Sequence, residues 1–158
     1  MTKKIKVGIT QRIDRFESYN ENRDALDQRL IDWVLQLGYI TIPIPNNLVD
    51  ITSSKNLQPN LDDWLNELSI DVIVLSGGNN IGDFKQRDLT ESYVLSWAEQ
   101  YKKPVLGICR GMQMMGIYNG AELLEVEGHV RVRHKLKMKD IYINSLPESV
   151  NSFHNFVL

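Results

Sequence analysis

The sequence of 158 residues predicts an α/β fold of three layers, with a mostly parallel central sheet and a later antiparallel part. Up to Gly120, short apolar segments alternate with segments of helical spacing, which is typical of parallel sheets covered by helices. From His129 to Lys139, apolar and basic residues alternate, which predicts a half-buried antiparallel strand. No shift in composition divides the chain, so we expect a single domain over residues 1–158.

The predicted elements follow from apolar spacing and from the glycines and prolines between them. Parallel strands are predicted at Ile5–Thr10, Tyr39–Ile44, Asp71–Leu75 and from Pro104 into Cys109. Helices are predicted from Leu26 to Leu37, from Asn60 as the capping residue to Leu68, from about Leu89 to Tyr101, and from Cys109 to Asn119. Further strands are predicted at Asp140–Ile143 and Val150–Phe156, and the polar segment Gln11–Asn22 predicts a loop.

The composition is that of a globular protein, with 42% apolar and 24% charged residues and a net charge of −2. No apolar run approaches the ~20 residues of a membrane span, and the N-terminus does not have the form of a signal peptide. One cysteine excludes an internal disulfide and fits a reducing compartment. We therefore expect a cytoplasmic protein without a membrane partner.

The only cysteine follows a predicted strand and precedes a predicted helix, within Gly107-Ile108-Cys109-Arg110-Gly111. The same arrangement forms the nucleophile elbow of α/β hydrolases, in which flanking glycines leave room for a strained turn. The partial positive charge of a helix N-terminus favours a thiolate there, and the Arg110 N–H would point to a developing oxyanion. The alternative is a buried structural cysteine.

A glycine pair, Ser76-Gly77-Gly78-Asn79, follows the third predicted strand. Ligands bind beyond the carboxyl ends of parallel strands, so we expect this loop and Cys109 to share one crevice. Gly78 is the expected second oxyanion donor, while a phosphate cradle and a plain turn are the alternatives.

The three histidines, His129, His134 and His154, are the candidates for a base that serves Cys109. None has the spacing of a ligand set and only one cysteine is present, so we expect no metal. The basic residues from Arg131 to Lys139 form either a solvated strand edge or a patch for an anionic substrate or nucleic acid. Their alternation lacks the aromatic residues of an RNA-binding sheet, so no nucleic-acid partner is expected.

Several of these motifs together resemble class I glutamine amidotransferase-like proteins. The residues that carry the resemblance are Ser76-Gly77-Gly78, Arg87-Asp88, Gly107–Gln113, His129-Val130 and Val150–His154. The γ-glutamyl hydrolase branch, peptidase C26, is more similar, and within it the hydrolases that act on γ-glutamyl-CDP-amidate in capsule phosphoramidate synthesis. The resemblance implies a flavodoxin-like fold and hydrolysis of a small γ-glutamyl amide without a cofactor, and it leaves oligomerisation open.

The resemblance also implies roles for individual residues. Cys109 would be the nucleophile, and Gly78 and Arg110 would supply oxyanion N–H groups. Substrate-binding roles would fall to a further set: Asn79, Gln113, Asn151, Ser152 and His154. The family's catalytic base lies in a His-x-Glu motif nearer the C-terminus, and these 158 residues contain no such motif. We therefore expect the chain to lack that segment.

Two other classes of function remain open at this point. One is a binding or regulatory module that retains a γ-glutamyl pocket without catalysis. The other is a cysteine-based redox or stress protein that has the same elbow. Labelling of Cys109 by a γ-glutamyl electrophile would separate both from a hydrolase.

Overall fold

The computed structural model describes residues 3–49, 58–135 and 147–158, with the side chains of 58–60 excepted. The chain forms two compact units, residues 1–120 and 121–158. The expectation of a single domain over 1–158 stays a prediction.

A four-stranded parallel sheet organises the first unit. Its strands and those of a separate hairpin are β1 (Lys6–Thr10), β2 (Arg12–Phe16), β3 (Glu21–Ala25), β4 (Ile40–Ile44), β5 (Val72–Leu75) and β6 (Val105–Gly107). The helices are α1 (Gln28–Gln36), α2 (Gln58–Glu67), α3 (Lys85–Gln100) and α4 (Arg110–Tyr118). The sheet order is β4-β1-β5-β6 with every neighbouring pair parallel, so the predicted parallel sheet is confirmed.

Helices cover this sheet on both faces. Ile73 and Leu75 lie in a buried cluster with residues of α2, α3 and α4, including Leu65 and Trp97. Val74, which lies between them in β5, belongs to a second cluster with Val34 of α1 and residues of β1. Successive residues of a strand face opposite sides of the sheet, and Ile73, Val74 and Leu75 are all buried. Helices therefore cover both faces of β5, which confirms the predicted three layers.

The predicted loop over Gln11–Asn22 is wrong, since β2 and β3 pair there as an antiparallel hairpin. Asn20 sits at its turn with φ +48°, a left-handed conformation that asparagine tolerates. Only Ile13 is buried among the residues of both strands, and Arg23 lies 4.3 Å above the Phe16 ring. A hairpin whose side chains interact mainly at the surface has no alternation of apolar and polar residues. The sequence pattern therefore did not predict it.

Helix boundaries also differ from the prediction. Helix α3 begins at Lys85, four positions before Leu89, and thereby includes Arg87 and Asp88. Asn60 lies inside α2 rather than at its cap. The apolar spacing that predicted α3 begins at Leu89, because the first turn carries charged residues instead.

In the second unit, the described residues 121–135 and 147–158 form two antiparallel pairs. They are formed by β7 (Leu124–Glu125) with β10 (Phe156–Val157), and by β8 (Val130–Lys135) with β9 (Ser149–Phe153). Arg131, Arg133 and Lys135 are exposed whereas Val132 and His134 are half-buried, so the predicted basic strand is confirmed as far as Lys135. The rest of that stretch and the predicted strand Asp140–Ile143 lie outside the described residues.

Candidate active site

Cys109 forms a sharp turn between β6 and α4. Its backbone has φ +54° and ψ −110°, a region that residues with a β-carbon rarely occupy and that costs about 1–3 kcal/mol. The thiol is free and exposed, so the alternative of a buried structural cysteine is wrong. Strand, strained turn and helix follow one another as predicted for a nucleophile elbow.

The glycines that flank the turn are required by close backbone contacts. A β-carbon at Gly107 would lie 2.6 Å from the Met112 nitrogen. A β-carbon at Gly111 would overlap the Leu75 carbonyl oxygen and lie 2.6 Å from Leu75 Cβ. The first turn of α4 therefore packs directly on the end of β5, and a larger residue at either position would displace the backbone that holds Cys109.

The glycine loop after β5 lies against the cysteine. A β-carbon built at Gly77 would be 3.5 Å from Cys109 Cβ, and the Ile108 N–H donates to the Leu75 carbonyl at 3.0 Å. Gly78 adopts φ +83°, a conformation suited to glycine. The glycine loop and Cys109 are therefore adjacent, as expected, and their sharing of one ligand crevice stays a prediction.

A buried arginine holds the glycine loop from behind. The Arg87 guanidinium is inaccessible to solvent and donates to the carbonyls of Ser76 (2.9 Å), Gly77 (3.0 Å) and Gly78. It also donates to Asn79 Oδ1 at 2.9 Å and to Glu91 Oε1 at 3.1 Å. Burial lowers the pKa of Arg87 from its ordinary value, and the neighbouring Glu91 opposes this change.

Glu91, also fully buried, links this arginine to the elbow. Its carboxylate accepts hydrogen bonds from Arg87, from the Thr10 hydroxyl at 2.9 Å and from the Arg110 guanidinium. Arg110 also pairs with Asp88, and the Thr10 hydroxyl accepts the Ser76 N–H at 3.0 Å. One buried polar network thus joins the ends of β1 and β5 to α3 and α4.

Arg87-Asp88 carries part of the family resemblance, but no role was predicted for Arg87, Asp88 or Glu91. A usable pattern was nevertheless present, since Arg87 and Glu91 share with Val94 and Ala98 the spacing of one helix face. Two opposite charges that continue an apolar stripe indicate a buried ion pair, and buried charges are retained only where they have partners.

Two of the residues that the resemblance assigned to substrate binding lie in the first unit. The Asn79 side chain pairs with the Ile13 backbone in both directions, at 2.9 Å and 3.0 Å, and accepts from Arg87. Gln113 is buried in the first turns of α4. Their contacts with substrate stay predictions.

A cavity of about 260 Å³ adjoins the glycine loop. Its lining includes Ser76–Gly78, the apolar residues Leu26 and Leu30, and the charged residues Arg12 and Asp27. Arg12 packs its aliphatic stem on Gly78 and pairs with Asp14 at the surface, where its side chain is 48% exposed. The lining therefore combines apolar residues with one cation, Arg12, and one carboxylate, Asp27.

The remaining predicted site residues lie in the second unit. The His129 ring stacks on His134 at 4.5 Å and lies 5.1 Å from His154. Ser152 is buried, and within the described part of the chain neither its hydroxyl nor His154 Nδ1 has a hydrogen-bond partner. Asn151 lies opposite Arg133 in the β8–β9 pair. The substrate-binding roles of Asn151, Ser152 and His154 stay predictions.

Metal ligation and membrane insertion find no support in residues 3–49, 58–135 and 147–158. Within these ranges no three histidine, cysteine or carboxylate side chains are arranged to hold a metal ion. No helix in them has the length and apolar character needed to cross a bilayer.

Comparison with known proteins gives a family and structures of the same fold. The chain belongs to the class-I glutamine amidotransferase family, whose model matches residues 21–156. Two solved structures share the fold: a GMP synthase component of Thermoplasma acidophilum (TM-score 0.62, 21% identity, covering 99% of this chain and 67% of that one) and a glutamine amidotransferase of Thermotoga maritima (TM-score 0.58, 14% identity, 99% and 63%).

Curated relatives are closer in sequence. The γ-glutamyl-CDP-amidate hydrolase of Campylobacter jejuni is 30% identical over 164 residues, which cover 96% of this chain and 71% of the relative. A glutamine amidotransferase-like protein of Lactococcus lactis, a YvdE homolog, is 28% identical, and the match covers 83% of this chain and 80% of that protein. The resemblance inferred from the motifs is therefore confirmed at the level of the family.

Proposed function

We propose that this protein hydrolyses a γ-glutamyl amide through a thioester on Cys109. The observation that carries the proposal is the strained backbone of Cys109 at a strand–helix turn, with the thiol exposed beside a glycine loop. Such strain persists where the surrounding structure enforces it, and it is concentrated at functional sites. Membership of the glutamine amidotransferase family supports the same chemistry.

The proposed reaction has two steps. In the first, the Cys109 sulfur bonds to the γ-carbonyl carbon, the C–N bond breaks, and the amine leaves with a proton. In the second, water attacks the thioester, which releases glutamate and restores the thiol. The oxyanion of each step would be stabilised by the N–H groups of Gly78 and Arg110, with Arg110 as the first residue of α4, where helix N–H groups lack intrahelical partners.

The remaining roles follow the family resemblance. We propose that Gln113 binds the glutamyl head group and that Asn79, Asn151, Ser152 and His154 have substrate-binding roles. The cavity beside Gly77 and Gly78 supports a small-molecule substrate. A cytoplasmic location fits the single free cysteine.

At a finer level we propose a phosphate-bearing leaving group, as in γ-glutamyl-CDP-amidate, and hence a role in capsule synthesis within the peptidase C26 branch. The support is the Campylobacter jejuni relative, with Arg12 as the cation of the cavity lining. We expect nucleotide-bearing γ-glutamyl compounds to bind better than γ-glutamyl-GABA. The preference should shrink with salt, since exposed charges are screened within about 8 Å at physiological ionic strength.

Two variants separate the candidate anion sites. Arg12→Gln should remove the preference if the anion binds at the cavity, whereas Arg131→Gln on β8 should remove it if the basic strand binds the anion. Binding measured by calorimetry distinguishes the two. Equal affinity of the wild type for both ligands at low salt would contradict a selected anionic leaving group.

The proposed function is tested by the release of amine from γ-glutamyl-p-nitroanilide. We expect a burst of about one equivalent of nitroaniline per protein, because acylation of Cys109 releases the amine before water is needed. Cys109→Ala should abolish the burst without unfolding the protein. A protein that binds γ-glutamyl ligands but gives no burst would instead be a binding module.

A further inference from the structure

We propose that Arg87, Asp88 and Glu91 of α3, here named the α3 clamp, position both oxyanion donors of the active site. The inference rests on the proposed function, because it takes Gly78 and Arg110 as the donors. None of the clamp residues lines the cavity itself, and Arg87 instead bonds the carbonyls of the loop that does, so their action is positional. Three observations support it. The side chains of Arg87 and Glu91 are buried, and Arg87 donates to three successive backbone carbonyls. The Glu91 carboxylate accepts from both Arg87 and Arg110.

The first half of the clamp fixes the direction of the Gly78 N–H. The peptide bonds of the glycine loop are trans, and a trans peptide directs its N–H opposite to its carbonyl. Arg87 holds the carbonyl of Gly77 at 3.0 Å, so the N–H of Gly78 in the same peptide points away from the guanidinium. Bonds to the Ser76 and Gly78 carbonyls restrain the neighbouring peptides in the same way.

An arginine is needed for this task because the guanidinium is a planar fork with five N–H donors. Arg87 uses these donors for three successive carbonyls, the Asn79 side chain and Glu91. Lysine would keep the positive charge but has three donors on a single nitrogen atom. The Arg87→Lys change therefore separates the geometry of the fork from its charge.

The second half of the clamp holds the elbow. Arg110 contributes its backbone N–H as the second proposed donor, while its buried guanidinium pairs with Asp88 and Glu91. Glu91 accepts from Arg87 and Arg110 together, so one carboxylate ties the two donor peptides to each other. The Thr10 hydroxyl completes the connection by bonding both Glu91 and the Ser76 N–H.

The test compares two reactions of Cys109 that differ in their need for an oxyanion hole. Acylation by p-nitrophenyl acetate forms an acetyl thioester through a tetrahedral oxyanion and releases nitrophenolate. Alkylation by iodoacetamide forms a thioether and releases iodide without an oxyanion. Both consume the thiolate, so their rate ratio cancels any change in thiol ionisation, and neither requires recognition of a γ-glutamyl group.

We expect Arg87→Lys to lower the acylation rate on the order of 10²-fold while the alkylation rate is unchanged, because loss of one oxyanion donor has an effect of this size. Glu91→Gln should lower the same ratio. Arg15→Lys, at an exposed arginine paired with Glu17, is the matched control and should leave the ratio unchanged. A purely structural role for Arg87 would lower the melting temperature and leave the ratio intact, which would overturn the proposal.

The wild-type protein provides two further tests, which do not depend on whether a variant folds. Its acylation-to-alkylation ratio should exceed that of N-acetylcysteine, and an equal ratio would overturn the proposal. By NMR, the Arg87 guanidinium protons should exchange with solvent far more slowly than those of Arg15, and equal exchange would contradict a locked fork. If these results hold while γ-glutamyl-p-nitroanilide gives no burst, the clamp stands and the γ-glutamyl function fails.

Discussion

At the scale of single residues, the backbone of Cys109 links stability to function. Its φ of +54° is unfavourable for any residue with a β-carbon, and glycine alone enters this region freely. We expect Cys109→Gly to be more stable than Cys109→Ala by about 1 kcal/mol, although glycine elsewhere destabilises relative to alanine. Denaturant unfolding of both variants checks this. An alanine variant that is the more stable of the two would show that the turn is relaxed.

The sequence predicts the position of Cys109 and of the glycine loop because both depend on local rules. Glycines at fixed spacing around a strand end indicate a sharp turn, and parallel strands bring their carboxyl ends together. The role of Arg87 was not predictable in this way. It depends on three carbonyl groups that converge only in the folded loop, and no side-chain pattern records where a carbonyl points.

At the scale of elements, the β6–α4 turn is packed against β5 without space for a side chain. We expect Gly111→Ala to destabilise the protein by about 3 kcal/mol or more, because its β-carbon would overlap the Leu75 carbonyl oxygen. Gly77→Ala is the matched control for stability, since its β-carbon would meet Cys109 Cβ at an ordinary 3.5 Å. Similar unfolding free energies for the two variants would contradict this packing.

A carboxylate at the start of β5 ties this strand to β1 and should give the fold an acid-sensitive contact. The Lys6 N–H donates to Asp71 at 3.0 Å, and this bond, with a smaller effect of Lys3, lowers the pKa of Asp71 below 3.8. A carboxylate whose pKa is lowered in the folded state stabilises the fold at pH values above its ordinary pKa. This stabilisation is lost as the pH falls through the pKa of the folded state. Asp71→Asn should therefore lower the unfolding free energy at neutral pH, by about 1 kcal/mol or less, but not in strong acid.

Asp62 is the control, because its pKa is shifted in the direction opposite to that of Asp71. Burial and then repulsion from Asp63 raise the pKa of Asp62 above 3.8, so its charged form opposes folding at neutral pH. Asp62→Asn should stabilise the protein there, and the gain should vanish as pH falls through the raised pKa toward 3.8. Denaturant unfolding at several pH values checks both variants. Parallel pH profiles for the two would contradict the assigned shifts.

Helices and strands were predictable where burial imposes a regular spacing of apolar residues, and they were missed where it does not. Strands β1, β4, β5 and β6 have apolar faces, and their sequence patterns place them within one or two residues. The β2–β3 hairpin is exposed apart from Ile13 among its strand residues, so its pairing leaves no apolar alternation. The start of α3 was placed too late because its first turn packs charged residues inward.

At the scale of the whole molecule, the proposed hydrolysis needs a base that serves Cys109. None of the three histidines is followed two positions later by glutamate, and His154 has an asparagine as its next residue. We expect the 158-residue chain to acylate faster than it deacylates, since a histidine base without an acidic partner often lowers kcat on the order of 10⁴-fold. Added hydroxylamine should then accelerate release of the acyl group.

The histidine cluster of the second unit supplies the control for this expectation. His154→Ala and His134→Ala remove neighbours of the same His129 ring, so equal effects would indicate a structural role. Full steady-state hydrolysis by this chain that His154→Ala alone abolishes would contradict the expectation and identify His154 as the base.

The central claim is that Cys109 forms a γ-glutamyl thioester, and the mass of the intact protein tests it most directly. After rapid mixing with γ-glutamyl-p-nitroanilide and acid quench, we expect an added mass of one glutamyl group, mapped by peptide analysis to Cys109 and absent from Cys109→Ala. Hydroxylamine should remove it, as it does other thioesters. No adduct at any time, with wild-type protein folded and γ-glutamyl ligand bound, would contradict the claim and leave the chain a binding module.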